Sequence, residues 1–174
     1  MFGRMLKVDL TTGKIESERI PQDYCQAFIG GSGLAARLLF AEMQPGRDSL
    51  DPQSPLLFIT GPLTGSLGPA TGRFTICGRS PQTGLWGESN IGGFVGPELR
   101  FAGFDAVWIS GRAEQPVYLW INDGRAEIHP ADHLWGKANP YQTQRMMREE
   151  TGQPAAKIAS IGLAGENRVP YALI

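Results

Sequence analysis

Arg73 and Asn90 are the side chains whose type and setting best suit ligand chemistry in this sequence. Arg73 follows Gly72 and precedes the apolar run F-T-I-C, so its guanidinium projects from the start of a predicted strand beside glycine-rich loops with N–H groups free to face a ligand. A planar fork of donors in that position suits a phosphate or a planar heterocycle. Asn90 offers a carbonyl and an amide just before Ile91-Gly92-Gly93, where the missing side chains let the backbone come close to a bound molecule. Residues 94–101 read as a short helix whose N-terminus points back at those glycines, with Pro97 confined to its first turn. Taken singly, a strand-end ion pair for Arg73 and a turn position for Asn90 explain the two residues as well as binding does. Arg79 and Arg100 fit solvated surface positions equally well.

Residue types alone reveal no catalytic centre. The histidines, His129 and His133 in H-P-A-D-H, are four apart, but Pro130 interrupts the segment and no third zinc ligand of recognisable type accompanies them. They read as surface or core-edge residues. Glu88, Glu98 and Asp105 have no spacing signature, and an exposed or salt-bridged role fits each. Cys25 and Cys77 are the only cysteines and lie far apart, which excludes a disulfide framework or a C-x-x-C site and points to two buried free thiols, with a single bridge between them as the alternative. The run G-S-G-L-A-A from Gly31 has the G-x-G-x-x-A form of a dinucleotide fingerprint. A predicted helix precedes it where that motif needs a strand, so it reads as a glycine hinge.

Several elements must position these groups. Residues 4–10 and 15–20 alternate around T-T-G-K as a hairpin. Helical spacing follows on both sides of the glycine hinge, from Tyr24 and Phe28 to Leu34, Leu38 and Ala41, and Gln44-Pro45-Gly46 ends it. Residues 56–60, 74–77 and 106–110 read as strands, and residues 115–121 and 125–129 flank N-D-G as a second hairpin. Asn139 and Pro140 start a helix that Gly152 stops, and residues 157–161 and 168–174 are predicted as two further strands. The expected class is α+β, mainly antiparallel sheet with a few short helices, in one domain over residues 1–174.

Composition agrees with one packed domain: 174 residues, 41% hydrophobic, with 16 basic and 17 acidic residues interspersed. The net charge of −1 gives no footprint for nucleic acid or an anionic membrane. No apolar run approaches the roughly 20 residues of a membrane span and no signal-peptide core opens the chain, so a cytoplasmic location is expected.

Together, the blocks G-P-L-T-G at 61–65, G-R-F at 72–74, S-P-Q-T-G at 80–84, N-I-G-G-F at 90–94 and E-L-R-F-A-G-F-D at 98–105 resemble the N-terminal domain of the aldehyde ferredoxin oxidoreductase family. The likeness extends over essentially the whole chain, through V-D-L-T-T-G-K-I, F-I-G-G-S-G-L-A, P-V-Y-L, H-L-W-G and I-A-S-I-G-L-A-G-E-N. It implies a β-rich base beneath two pyranopterins that hold tungsten, or in some members molybdenum, in an enzyme that oxidises aldehydes to carboxylic acids with ferredoxin as acceptor. By the same resemblance Arg73 contacts a pterin, Asn90, Gly92 and Gly93 line that cofactor, and Asn90 lies beside a magnesium ion bridging the pterin phosphates. The family varies at Ile91. Its members are several times longer, and their later domains supply a second pterin loop and the cysteines of a 4Fe-4S cluster. This chain is therefore expected to be inactive without those domains or a second subunit. Alternative expectations are a non-catalytic pterin-binding or assembly module and one subunit of a split enzyme.

Overall fold

The computed structural model describes residues 2–137 and 139–174. Strands β1 (Arg4–Asp9) and β2 (Lys14–Arg19) form the opening hairpin. Its turn is closed by the Asp9 carboxylate, which accepts from the Thr11 N–H at 2.8 Å and the Thr12 hydroxyl at 2.9 Å. Alternation along β1 sends Leu6 and Val8 to one buried face and Met5 to the other.

Strands β3 (Leu56–Thr60), β4 (Phe74–Arg79), β5 (Trp86–Ile91) and β6 (Ala106–Ser110) complete a six-stranded sheet in the order β2-β1-β6-β3-β4-β5. Every neighbouring pair is antiparallel except β1 with β6. Helices α1 (Gln22–Phe28) and α2 (Gly31–Glu42) cover one face, where Leu34, Ala35 and Leu39 pack into a core with Leu57, Ile59, Cys77 and Ala106. On the other face Leu6, Val8, Phe104 and Val107 lie under a hairpin of β7 (Val117–Asn122) and β8 (Arg125–Pro130), which contributes Leu119, Ile121, Ala126 and Ile128. Asp123 and Gly124, both at positive φ, make the tight turn that N-D-G predicts. This second face is less fully filled: a cavity of about 630 Å³ opens beside Phe58, Phe74, Leu99, Leu119 and Ile158.

Helix α3 (Val95–Phe101) precedes β6, and α4 (Pro140–Thr151) follows the second hairpin. The Asn139 side chain accepts from the Gln142 N–H at 3.0 Å while the Gln142 side chain accepts from the Asn139 N–H at 3.0 Å, and Gly152 ends the helix at φ 64°. The expected α+β class with mainly antiparallel sheet is what the structure has. Two predicted strands are absent. Residues 157–161 run without a ladder partner. Residues 168–174 follow α5 (Leu163–Glu166) as turns, with Val169 N–H bonded back to Ala164 O at 2.9 Å and Pro170 lacking a donor. Conversely β5, which lies outside the predicted strands, is an edge strand. Among the described residues no helix is long and apolar enough to cross a membrane.

Candidate functional site

The register of β4 with β5 places Thr75 opposite Asn90 and Cys77 opposite Glu88. Alternation therefore puts Thr75, Cys77, Glu88 and Asn90 on one face of the sheet, the face on which α2 begins. Asn90 Nδ2 donates to the buried Thr75 hydroxyl at 3.3 Å, and its Oδ1 accepts from Arg73 Nη1 at 2.6 Å. The two residues singled out from sequence thus touch each other, and both stay exposed to solvent. Glu88 extends the row: Ser32, in the first turn of α2, donates to its Oε1 at 2.5 Å, and Trp86 Nε1 donates to its Oε2 at 3.1 Å.

Close backbone contacts bring three glycine-bearing segments to this edge. A Cβ on Gly30 would stand 2.9 Å from Gly61 Cα, and one on Gly72 would stand 2.3 Å from the Gly93 carbonyl oxygen. Only glycine permits either approach. Gly92 differs: a Cβ there would meet nothing within 4 Å, so its backbone faces open space beside Arg73 and Asn90.

Between Gly61 and Arg73 the loop holds itself by side-chain hydrogen bonds. The Thr64 hydroxyl accepts from Gly61 N–H at 3.0 Å and donates to Arg73 O at 2.8 Å, which anchors the arginine's backbone. Thr71 donates to Ser66 O at 2.9 Å and Gly68 O at 3.0 Å, and its own carbonyl accepts from Gly65 N–H at 2.8 Å. Gly96 of α3 lies against this loop, with the Gly72 carbonyl 3.2 Å from where its Cβ would stand.

Other candidates take structural places. Arg79 donates to the carbonyls of Arg47 at 2.5 Å and Gln44 at 3.0 Å. Arg100 is no solvated surface arginine: it pairs with Asp105 at 3.0 Å and donates to the carbonyls of Pro62 and Thr64 at 2.7 and 2.8 Å. Asp105 is accordingly the salt-bridged member of the three candidate acids, whereas Glu98 is exposed. His129 stacks on Tyr118 with ring centroids 5.2 Å apart and pairs with Glu127, and His133 pairs with Glu150 at 2.8 Å. Both cysteines are free and buried, as expected. Burial pushes the Cys77 thiol up to about 12, with the Glu88 charge adding to the effect. Burial likewise raises Cys25, and Asp105 and Asp23 push in the same direction. Among the described residues no three of His, Cys, Asp and Glu gather as metal ligands.

Sequence reasoning missed that Thr75 holds Asn90 and that Ser32 meets Glu88 in the same row. The period-two spacing of Trp86, Glu88 and Asn90 was the available signal, masked by glycine, serine and asparagine in the same strand. The glycine hinge behaves as read: helix α1, not a strand, precedes Gly31, so the fingerprint context is missing.

Comparison with known proteins places the chain in a family. The model for "Aldehyde ferredoxin oxidoreductase, N-terminal domain" matches residues 5–174. The chain is 44% identical over 173 residues to the tungsten-containing aldehyde ferredoxin oxidoreductase of Pyrococcus furiosus, covering 99% of this chain and 28% of that protein. The corresponding enzyme of Thermococcus kodakarensis is 43% identical over the same share of each. A P. furiosus protein named aliphatic sulfonate oxidoreductase, WOR-like subunit, is 32% identical over 99% of this chain and 30% of its own. Among solved structures, the active site complex BamBC of benzoyl coenzyme A reductase superposes with a TM-score of 0.94 at 38% identity, over 97% of this chain and 26% of that one. The chain thus spans just over a quarter of the length of these relatives. With its fold and nearly its whole length shared with them, the chain belongs to the aldehyde ferredoxin oxidoreductase family and corresponds to its N-terminal domain.

Proposed function

We propose that this domain holds the pterin cofactor of a tungsten or molybdenum bis-pyranopterin oxidoreductase. The observation that carries the reading is the exposed Arg73–Asn90 pair beside a Gly92 backbone open to solvent. The donor set fits such a group. Arg73 keeps guanidinium N–H groups beyond the one given to Asn90, enough to bind a phosphate or a pterin edge. Gly92 and Gly93 let the main chain approach a flat ring without a side chain between. Asn90, held by Thr75 through its Nδ2 and by Arg73 through its Oδ1, would stand in the neighbourhood of a magnesium ion carried with the pterin phosphates. When bound, the cofactor would supply the two-electron redox centre. This domain's residues bind the cofactor, fix its orientation and tune it by hydrogen bonds.

In the whole protein the activity proposed is oxidation of an aldehyde to a carboxylic acid with ferredoxin as electron acceptor, and a 4Fe-4S cluster would belong to later domains. Residues 1–174 act there as a single cofactor-binding domain and are inactive alone. The same domain occurs, at 32–44% identity, in proteins named for aldehydes, an aliphatic sulfonate and benzoyl-CoA. That spread of names supports placing the groups that select the substrate outside this domain. The names "subunit" and "complex" among these relatives favour a second reading, in which the domain belongs to one subunit of a multi-subunit enzyme.

Metal and pterin analysis of the intact protein tests the assignment. Arg73→Ala is expected to lower cofactor occupancy several-fold while leaving unfolding stability within about 0.5 kcal/mol of wild type, because Arg73 is exposed and gives up a single side-chain bond. Unchanged tungsten, molybdenum and pterin content in that variant rejects the role.

A further inference from the structure

Arg100 and Asp105 form a charge pair with side chains 24% and 9% exposed, set between the amino-terminal strand and the loop that carries Arg73. The Asp105 carboxylate is spent on structure. Oδ1 accepts from Arg100 Nε at 3.0 Å, and Oδ2 accepts from the N–H groups of Gly3 at 2.7 Å and Arg4 at 2.9 Å. Its main chain is equally committed, with the carbonyl accepting from Thr60 N–H and hydroxyl at 2.9 and 2.8 Å. Asp105 is therefore a fixed point of the central sheet. Arg100 turns its remaining arm the other way: Nη1 donates to Pro62 O at 2.7 Å, Thr64 O at 2.8 Å and, at 3.4 Å, Gly61 O. Those carbonyls belong to the segment whose Thr64 hydroxyl holds the backbone of Arg73. The ring of Phe2 lies 5.6 Å from the guanidinium carbon, shielding the pair on one side.

We infer that Arg100 is the positioning residue of the cofactor edge: its guanidinium ties the carbonyls of residues 61–64 to the Asp105 carboxylate and thereby sets where Arg73 is presented. The inference rests on the cofactor reading of Arg73, which Arg100 does not itself touch. Two properties make arginine the residue for this task. Its planar fork can meet a carboxylate on one edge and carbonyls at its tip at the same time, which a lysine ammonium cannot. Its permanent charge compensates a carboxylate that would otherwise stand nearly buried and alone. Lysine keeps the second property and loses the first, so Arg100→Lys separates placement of the loop from charge balance in the core.

The test is hydrogen exchange by mass spectrometry on the intact protein carrying Arg100→Lys, with tungsten, molybdenum and pterin content measured on the same sample. Amides in residues 61–73 are expected to exchange about tenfold faster or more, as for loss of a local hydrogen-bonded contact, while those of β1 and β6 keep their protection. Cofactor content falls with the loop's protection. Exchange in residues 61–73 unchanged from wild type overturns the inference. So does uniform loss of protection through β1 and β6 in both Arg100→Lys and Asp105→Asn, which would make the pair a general core element. Arg73→Ala, measured alongside, separates the two claims. Cofactor content unaffected by Arg73→Ala, with the loop still loosened by Arg100→Lys, rejects the cofactor reading and leaves the clamp standing.

Discussion

Substituting Gly72 tests whether close backbone packing, and not ligand approach, is what demands glycine there. Neither Gly72 nor Gly92 sits in the left-handed region, so alanine costs neither of them backbone strain and the comparison isolates space. In Gly72→Ala the new Cβ would lie 2.3 Å from the Gly93 oxygen, against a floor of 3.0 Å for real Cβ contacts, so the two backbones must part by at least 0.7 Å (3.0 − 2.3). The obstacle is a main-chain carbonyl between β5 and α3 and cannot swing aside as a side chain would. Forced separation of packed groups costs about 1–3 kcal/mol. For a protein of this size that lowers Tm by roughly 2–12 °C. Gly92→Ala adds a methyl to open space and should stay within about 0.5 kcal/mol of wild type. Urea and thermal unfolding followed by circular dichroism give both numbers, and cofactor analysis of the intact variants supplies the contrast: Gly72→Ala loses stability and cofactor together, Gly92→Ala loses cofactor alone. Equal midpoints for Gly72→Ala and wild type, or equal destabilisation by both substitutions, would refute the reasoning.

The cysteines give a prediction on reactivity and pH. Both thiols are buried and shifted upward, so a disulfide reagent at pH 8 should label neither in the folded protein and both in denaturant. Because the folded protein keeps the Cys77 proton up to about 12 while the unfolded chain releases it near 9.0, this thiol's contribution is complete below pH 9 and is lost as pH rises. The slope reaches up to about 1.4 kcal/mol per pH unit and should be shallower in Cys77→Ala; identical slopes between pH 9 and 11 would reject the shift. Leu34, with no exposed surface at the centre of the helix-covered face, should cost about 2–5 kcal/mol as Leu34→Ala. Leu67→Ala, on a fully exposed loop residue, should cost under about 0.5 kcal/mol in the same urea titration.

Local signals made much of this fold readable. The two hairpins carry alternation on both sides of turn residues that accept positive φ, and α4 carries its own start and stop in Asn139, Pro140 and Gly152. What stayed hidden depends on partners distant in sequence. The segment W-G-E-S-N-I has little strand propensity and becomes β5 because β4 offers it an edge. Residues 157–161 and 168–174 have the apolar content of strands and find no such edge. The contact between Arg73 and Asn90 follows from the β4–β5 register, which no spacing along the chain displays. Arg100 escaped for the same reason, since nothing in its neighbours announces that Asp105 is buried behind it.

The place of β6 has a consequence for how the sheet comes together in time. It lies between β1 and β3, parallel to the first and antiparallel to the second, and among the described residues no other strand joins the two sides. A growing chain that has emerged only to residue 105 has the β1–β2 hairpin and the β3–β4–β5 meander as separate pieces, each with an apolar edge unpaired. At roughly 5–20 residues per second those edges stay open for several seconds of synthesis before residues 106–110 arrive to close them. The last strand made is the keystone of the sheet. The interval before it is the period in which the nascent protein is most exposed to edge-to-edge association.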